Sequence, residues 1–208
     1  MKRALAIATL ILALPLTAAA DQPFSTIGGY GNPTARYPMP VTGTTDIPTY
    51  SGGTGGLGNT GAGDVYCVTG SPTKIVRVKS MRISAIANAA TVVDVIIFKR
   101  STAAAGGTPV AVTATPHDSN NAAPTASITA YSVSPTPGAT VGAVRGAKLA
   151  VGTQGNANTI GDETFHFDDH YDQAIVLRGT SQSVCINVTA LGAGASIDIG
   201  SEHTEEDN

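Results

Sequence analysis

The chain has 208 residues, of which 42% are hydrophobic but only 5% aromatic and 13% charged, and its formal net charge is −3. That length fits one domain with a real core. The acidic, Lys/Arg-poor balance excludes the basic footprint of a nucleic-acid binder.

Residues 1–20, "MKRALAIATLILALPLTAAA", have the layout of an export signal. Lys2 and Arg3 precede an apolar run from Ala4 to Leu16, and Ala18 and Ala20 form a small-residue cleavage pattern. The run is too short to cross about 30 Å of hydrocarbon as a helix. Without residues 1–20 the chain carries ten basic and fifteen acidic side chains, a balance of −5.

Residues 21–63 are rich in Gly, Pro and Thr, with scattered Tyr and no sustained periodicity. Such a segment buries too little apolar area to fold alone, so an arm or linker that orders against a partner is expected. Ordering costs on the order of 1 kcal/mol per residue and needs anchors. Tyr30, Tyr37 and Tyr50 are the candidates, because Tyr combines contact area with a polar handle. Two overlapping GxGxxG matches between Gly53 and Gly61 lack the preceding strand and following helix of a dinucleotide fingerprint. No cofactor site is therefore expected.

From Asp64 the chain becomes a series of β-branched runs separated by turn residues. "DVYCVTG" is followed by "TKIVRVKSMRISAIA", where the apolar phase shifts between Val78 and Met81, the mark of a bulge near Lys79–Ser80. "TVVDVIIFKRS" is apolar on both faces, as in a central strand. "TPVAVTAT", "TASITAYSVS", "ATVGAVRGAKLAV", "ETFHF", "QAIVLRG", "SVCINVTAL" and "ASIDIGS" complete the set. In "SVCINVTAL", Val184, Ile186 and Val188 alternate with Cys185, Asn187 and Thr189, a half-buried pattern. The expected fold is all-β, an antiparallel β-sandwich or jelly-roll-like domain over residues 64–201. An extended Gly/Pro-rich N-terminal arm precedes it and a solvated acidic tail, 202–208, follows.

Cys67 and Cys185 are the chain's two cysteines. In an oxidising compartment they could close a long loop, worth about 4–5 kcal/mol on the chain-entropy account. The alternative is two buried thiols packed as small hydrophobes.

The densest polar stretch is "FHFDDHYDQ", residues 165–173. His166, Asp168 and His170 are the candidate metal ligands. An extended strand would hold the two histidines about 13 Å apart, too far to share one ion. A strand end followed by a turn through Asp168–Tyr171 is the simpler expectation. Asp168 and Asp169 are the candidate acid–base pair, but no GxSxG elbow or other nucleophile context accompanies them, and no enzyme activity is expected. "PHDSNN", residues 116–121, reads as a polar turn in which His117, Asp118 and Asn120 could meet a cation or sugar.

"KIVRVKSMRIS", "VIIFKRSTAAAGGTPVAVTATPHDSNNAAPTASITAYSVS", "VGAVRGAKLA" and "DQAIVLRGTSQSVCINV" together resemble structural proteins of tailed bacteriophages and prophages. The resemblance covers residues 73–188, more than half of the chain. It implies a non-enzymatic virion component, such as a capsid decoration, head-fibre or tail-associated protein. Its partners would be phage capsid or tail proteins and further copies of itself, with trimers frequent. The signal-like segment departs from that pattern. An exported adhesin or carbohydrate-binding sandwich, secreted or periplasmic and meeting a host-surface glycan, is the alternative expectation.

Overall fold

A computed structural model describes residues 47–58, 61–153, 160–169 and 173–207. The expected signal segment, Tyr30, Tyr37 and His170 lie outside the described residues. The described chain is all-β, with no helix among those residues.

Among the described residues twelve strands form one curled sheet that folds over on itself as a sandwich. They are β1 (Thr49–Gly58), β2 (Gly63–Thr69), β3 (Lys74–Ala87), β4 (Thr91–Arg100), β5 (Thr108–Val112) and β6 (Thr115–Pro116). There follow β7 (Ser127–Val133), β8 (Thr140–Thr153), β9 (Gly161–His166), β10 (Ile175–Arg178), β11 (Ser183–Val188) and β12 (Ser196–Asp207). One layer runs β6-β1-β12-β3, with β10 and β9 paired end to end along the far edge of β3. The other runs β5-β7-β2-β11-β4-β8. The layers join where the end of β8 pairs in parallel with β3, at Ile86–Gly152 and Ala87–Thr153.

The core lies between the layers. Val76, Val78, Met81, Ile83 and Ala85 of β3 and Ile197 and Ile199 of β12 face Val93, Val95 and Ile97 of β4 and Val184, Ile186 and Val188 of β11, all buried. Tyr66 reaches across from β2 and donates its hydroxyl to the Gly52 carbonyl at 2.7 Å; it also shares a 2.9 Å hydrogen bond with Ser201. The expected phase shift in β3 is real. Glu202 pairs with Ser80 but His203 pairs with Val78, leaving Lys79 as the extra residue of a bulge. That extra residue returns Met81, Ile83 and Ala85 to the inner face. The "GGT" turn after β4 is also explained: Gly106 and Gly107 have φ of 72° and 73°, and a Cβ on Gly107 would meet the Val133 carbonyl at 2.6 Å.

Three expectations are corrected. The domain does not begin at residue 64, because the glycine-rich stretch Thr49–Gly58 is β1, paired with β12 over nearly its whole length. Its glycines suit close packing, since a Cβ at Gly52 would collide with Ile128 and one at Gly53 with the Ile199 carbonyl. Residues 202–207 are not a solvated tail but the second half of β12, paired with Lys74–Ser80 of β3. There Asp207 meets Lys74 at 2.5 Å and Glu206 meets Arg77 at 2.8 Å. Finally, β11 is buried on both faces rather than half-buried, because Cys185 is covered as fully as its apolar neighbours.

Candidate functional site

Cys67 and Cys185 sit directly opposite each other on β2 and β11, with Cα atoms 4.1 Å apart, and their sulfurs are bonded. Close approach of this kind belongs to a non-hydrogen-bonded antiparallel pair. Of the two open alternatives, the structure takes the disulfide. Asp64 lies beside it, yet this trio is no metal centre, because both sulfurs are used in the bridge. The Asp64 carboxylate is instead fully committed: it accepts from Arg100 Nη2 at 2.6 Å and Nε at 3.2 Å, and from Asn187 Nδ2 at 2.7 Å. Arg100 also donates to Thr140 Oγ1 and stacks over the Phe98 ring at 4.6 Å. A buried ion pair with its remaining valences satisfied braces β2, β4, β8 and β11 around the disulfide.

Among the described residues, His166 and Asp168 join no cluster of three metal-ligating groups, and His170 lies outside those residues. The register places Thr115 opposite Ser51, Ser51 opposite Glu202, Glu202 opposite Ser80 and Ser80 opposite His166. This single polar row crosses the outer face of the β6-β1-β12-β3-β9 layer and spans about 19 Å at four strand spacings. At one end Ser51 Oγ and His117 Nε2 share a 2.6 Å hydrogen bond. At the other, Lys79 meets Asp168 at 3.3 Å and Glu202 at 3.7 Å. Asp168 is thus a salt-bridge partner at the β9 end. The "PHDSNN" stretch is a turn in which Asp118 Oδ1 accepts from the Asn120 amide at 2.9 Å.

Tyr50 is the other correction. It is 3% exposed, its hydroxyl donates to the Ala122 carbonyl at 3.0 Å, and its ring stacks on His203. A core residue so placed cannot anchor a partner.

The surface best placed to meet another molecule is β8, which the sequence marked only as one strand among ten. It has 14 residues, and from Thr140 to Lys148 its only strand partner among the described residues is β4. Two register slips leave Val141 and Val144 as extra residues, and they are 64% and 39% exposed. Bulges bend a strand and re-aim side chains, which here turns two apolar groups outward. Val144 and Arg145 border an open hollow of about 250 Å³ shared with Phe167, Gln173 and Ile175. Farther along, a hollow of about 660 Å³ follows the β4–β8–β9 seam, with Val92 and Ile160 exposed on its walls and Lys148 and Asp162 among its polar groups. Exposed apolar side chains gathered along one seam mark an interaction surface more readily than single ones scattered over a face.

Comparison with protein-family models, with curated proteins and with solved structures found no match.

Proposed function

We propose that this protein is a non-enzymatic structural component of a tailed-phage virion, a capsid decoration, head-fibre or tail-associated protein that binds a protein lattice. The observation that carries the reading is the β8 seam, an exposed strand whose bulges project Val141 and Val144 from a sandwich braced by a disulfide and a buried ion pair. A rigid frame presenting apolar groups loses little entropy on docking, which favours lasting attachment. The phage-like motifs between residues 73 and 188 supply the partner class.

The test is mass spectrometry of particles separated from soluble protein on a density gradient. The chain is expected with the particles, and Val141→Asp with Val144→Asp is expected to release it. A chain found only in the soluble fraction would overturn the reading.

A second reading is favoured by one observation. A Cys67–Cys185 bridge belongs in an oxidising compartment, as does the signal-like segment. In that reading the protein is an exported surface or carbohydrate-binding module, and the row His166–Ser80–Glu202–Ser51 is its polar contact face. Glycan binding by the isolated soluble protein, lost on Glu202→Ala, would establish it.

A further inference from the structure

His203 is fully buried, and neither ring nitrogen has a hydrogen-bond partner among the described residues. A neutral imidazole left in this way forfeits both its donor and its acceptor, a cost that folds rarely tolerate without a use for it. Its surroundings suggest the use. Residues 203 and 205 share the inner face of β12, and Glu205 Oε1 lies 3.8 Å from His203 Nε2, just beyond hydrogen-bond reach.

Glu205 is occupied elsewhere. Its Oε1 accepts from the backbone amides of Thr125 at 2.8 Å and Ala126 at 2.7 Å, and its Oε2 accepts from the Thr125 hydroxyl at 2.7 Å. One carboxylate therefore fastens the segment leading into β7. The other neighbour of His203 holds the same segment: the Tyr50 ring stacks on the imidazole while its hydroxyl holds the Ala122 carbonyl. Segment 121–126 in turn forms one wall of an open hollow of about 630 Å³, with Asn121, Pro124 and Ala126 facing Val112, Ala114 and Pro116.

We propose that His203 is the trigger of an acid-released latch: on protonation it draws the Glu205 carboxylate off Thr125 and Ala126 and frees segment 121–126 from the sandwich edge. A buried imidazolium needs an acceptor. A shift of about 1 Å brings Glu205 Oε1 within hydrogen-bond distance of Nε2. That oxygen then leaves the Ala126 amide without a partner and the Thr125 amide with only its 3.0 Å bond to Oε2, a loss relieved when the segment swings out to water.

The other charged and titratable groups around the ring do not compete for this role. Glu202 lies on the outer face, engaged with Lys79. Tyr66 of β2 is bonded to Gly52 and Ser201. Lys74 of β3 senses both Glu205 and Tyr50 but is bound to Asp207. Burial pushes the imidazole below its ordinary value while Glu205 and Glu202 oppose that shift, so the trigger acts on the acid side of neutrality.

Hydrogen exchange on the full chain, corrected for the intrinsic pH dependence of the chemistry, tests the latch. Between pH 7.5 and 5, protection at Thr125 and Ala126 is expected to fall by about tenfold or more, the change produced by one unit of difference in proton affinity between latched and open forms. The β4 and β11 amides, which open only with the whole fold, should stay far better protected than these two at every pH. His203→Phe keeps the stacked ring without the proton and is expected to abolish the change, whereas His117→Asn should leave it intact. Unchanged protection at Thr125 and Ala126, or protection there no lower than that of the β4 and β11 amides at every pH, would overturn the proposal. Should His203→Phe not fold, an NMR titration of the native protein decides: the Thr125 and Ala126 amides must shift with the midpoint of the His203 ring, and a different midpoint sinks the latch.

Discussion

The Tyr50 ring lies over the His203 ring, with centroids 5.5 Å apart and planes inclined by 22°. The two residues are direct partners in the β1–β12 ladder, so a tyrosine from the glycine-rich stretch and a histidine from the acidic terminus complete each other's burial. Tyr50→Ala is therefore expected to cost about 3–5 kcal/mol, the range for emptying a buried aromatic site. Tyr50→Phe, which loses only the bond to Ala122, should cost about 1 kcal/mol. Urea denaturation of both variants checks this. A Tyr50→Ala variant with native stability would contradict the buried placement.

Acid should weaken the whole fold as well. Burial lowers the proton affinity of His203 in the folded state, so the unfolded chain, with an ordinary histidine near 6.5, binds more protons as pH falls. The contribution of His203 is thus fully present above about pH 6.5 and is lost progressively below it. Urea midpoints measured between pH 8 and 5 should fall in the native protein and fall less in His203→Phe. Parallel curves would show that other groups dominate.

Reducing the Cys67–Cys185 bridge should destabilise the domain. The cysteines are 118 residues apart, a separation at which the chain-entropy account gives about 4–5 kcal/mol. For a domain of this size that is on the order of 10 °C in Tm. Calorimetry with and without reductant measures it, alongside an intact mass two units lighter when oxidised. Coincident melting curves would remove the bridge from any structural role.

Asp64 and Arg100 should behave as a pair. Removing either partner strands a buried charge and should cost about 3–5 kcal/mol, while the double replacement Asp64→Leu with Arg100→Met should recover much of the loss. A double-mutant cycle reads the coupling directly. Additive losses would mean that Thr140 and Asn187 hold the two charges independently.

The β8 valines should behave in the opposite way. Being exposed, Val141→Asp and Val144→Asp should change stability by no more than about 0.5 kcal/mol. Any loss of particle attachment would then report on the surface rather than on the fold.

Much of the fold was legible in local pattern. Period-two runs with Gly, Pro, Asn and Asp between them specify strands and turns, and the phase shift between Val78 and Met81 disclosed the bulge at Lys79 before any coordinate did. Local pattern failed where a residue's environment comes from distant chain. Thr49–Gly58 has too few side chains to look like a strand, yet glycine is what lets its backbone approach Ile128 and β12 so closely. The terminus "SEHTEED" looks solvated because its charges have no local partners. The partners are distant in the chain: Lys74 and Arg77 lie 133 and 129 residues from Asp207 and Glu206, and Thr125 lies 80 residues from Glu205.

What the sequence determined by itself was the all-β class, the approximate place of most strands and the poverty of catalytic motifs, because these follow from side-chain periodicity and residue chemistry over short windows. Only the tertiary structure decided that Cys67 faces Cys185, that Tyr50 turns inward onto His203, and that from Thr140 to Lys148 β8 keeps one edge free of strand partners among the described residues. Each of these depends on register between strands far apart in the chain. A slip of one residue would turn the same side chains to the opposite face, and nothing within a single strand records which register its neighbour will adopt.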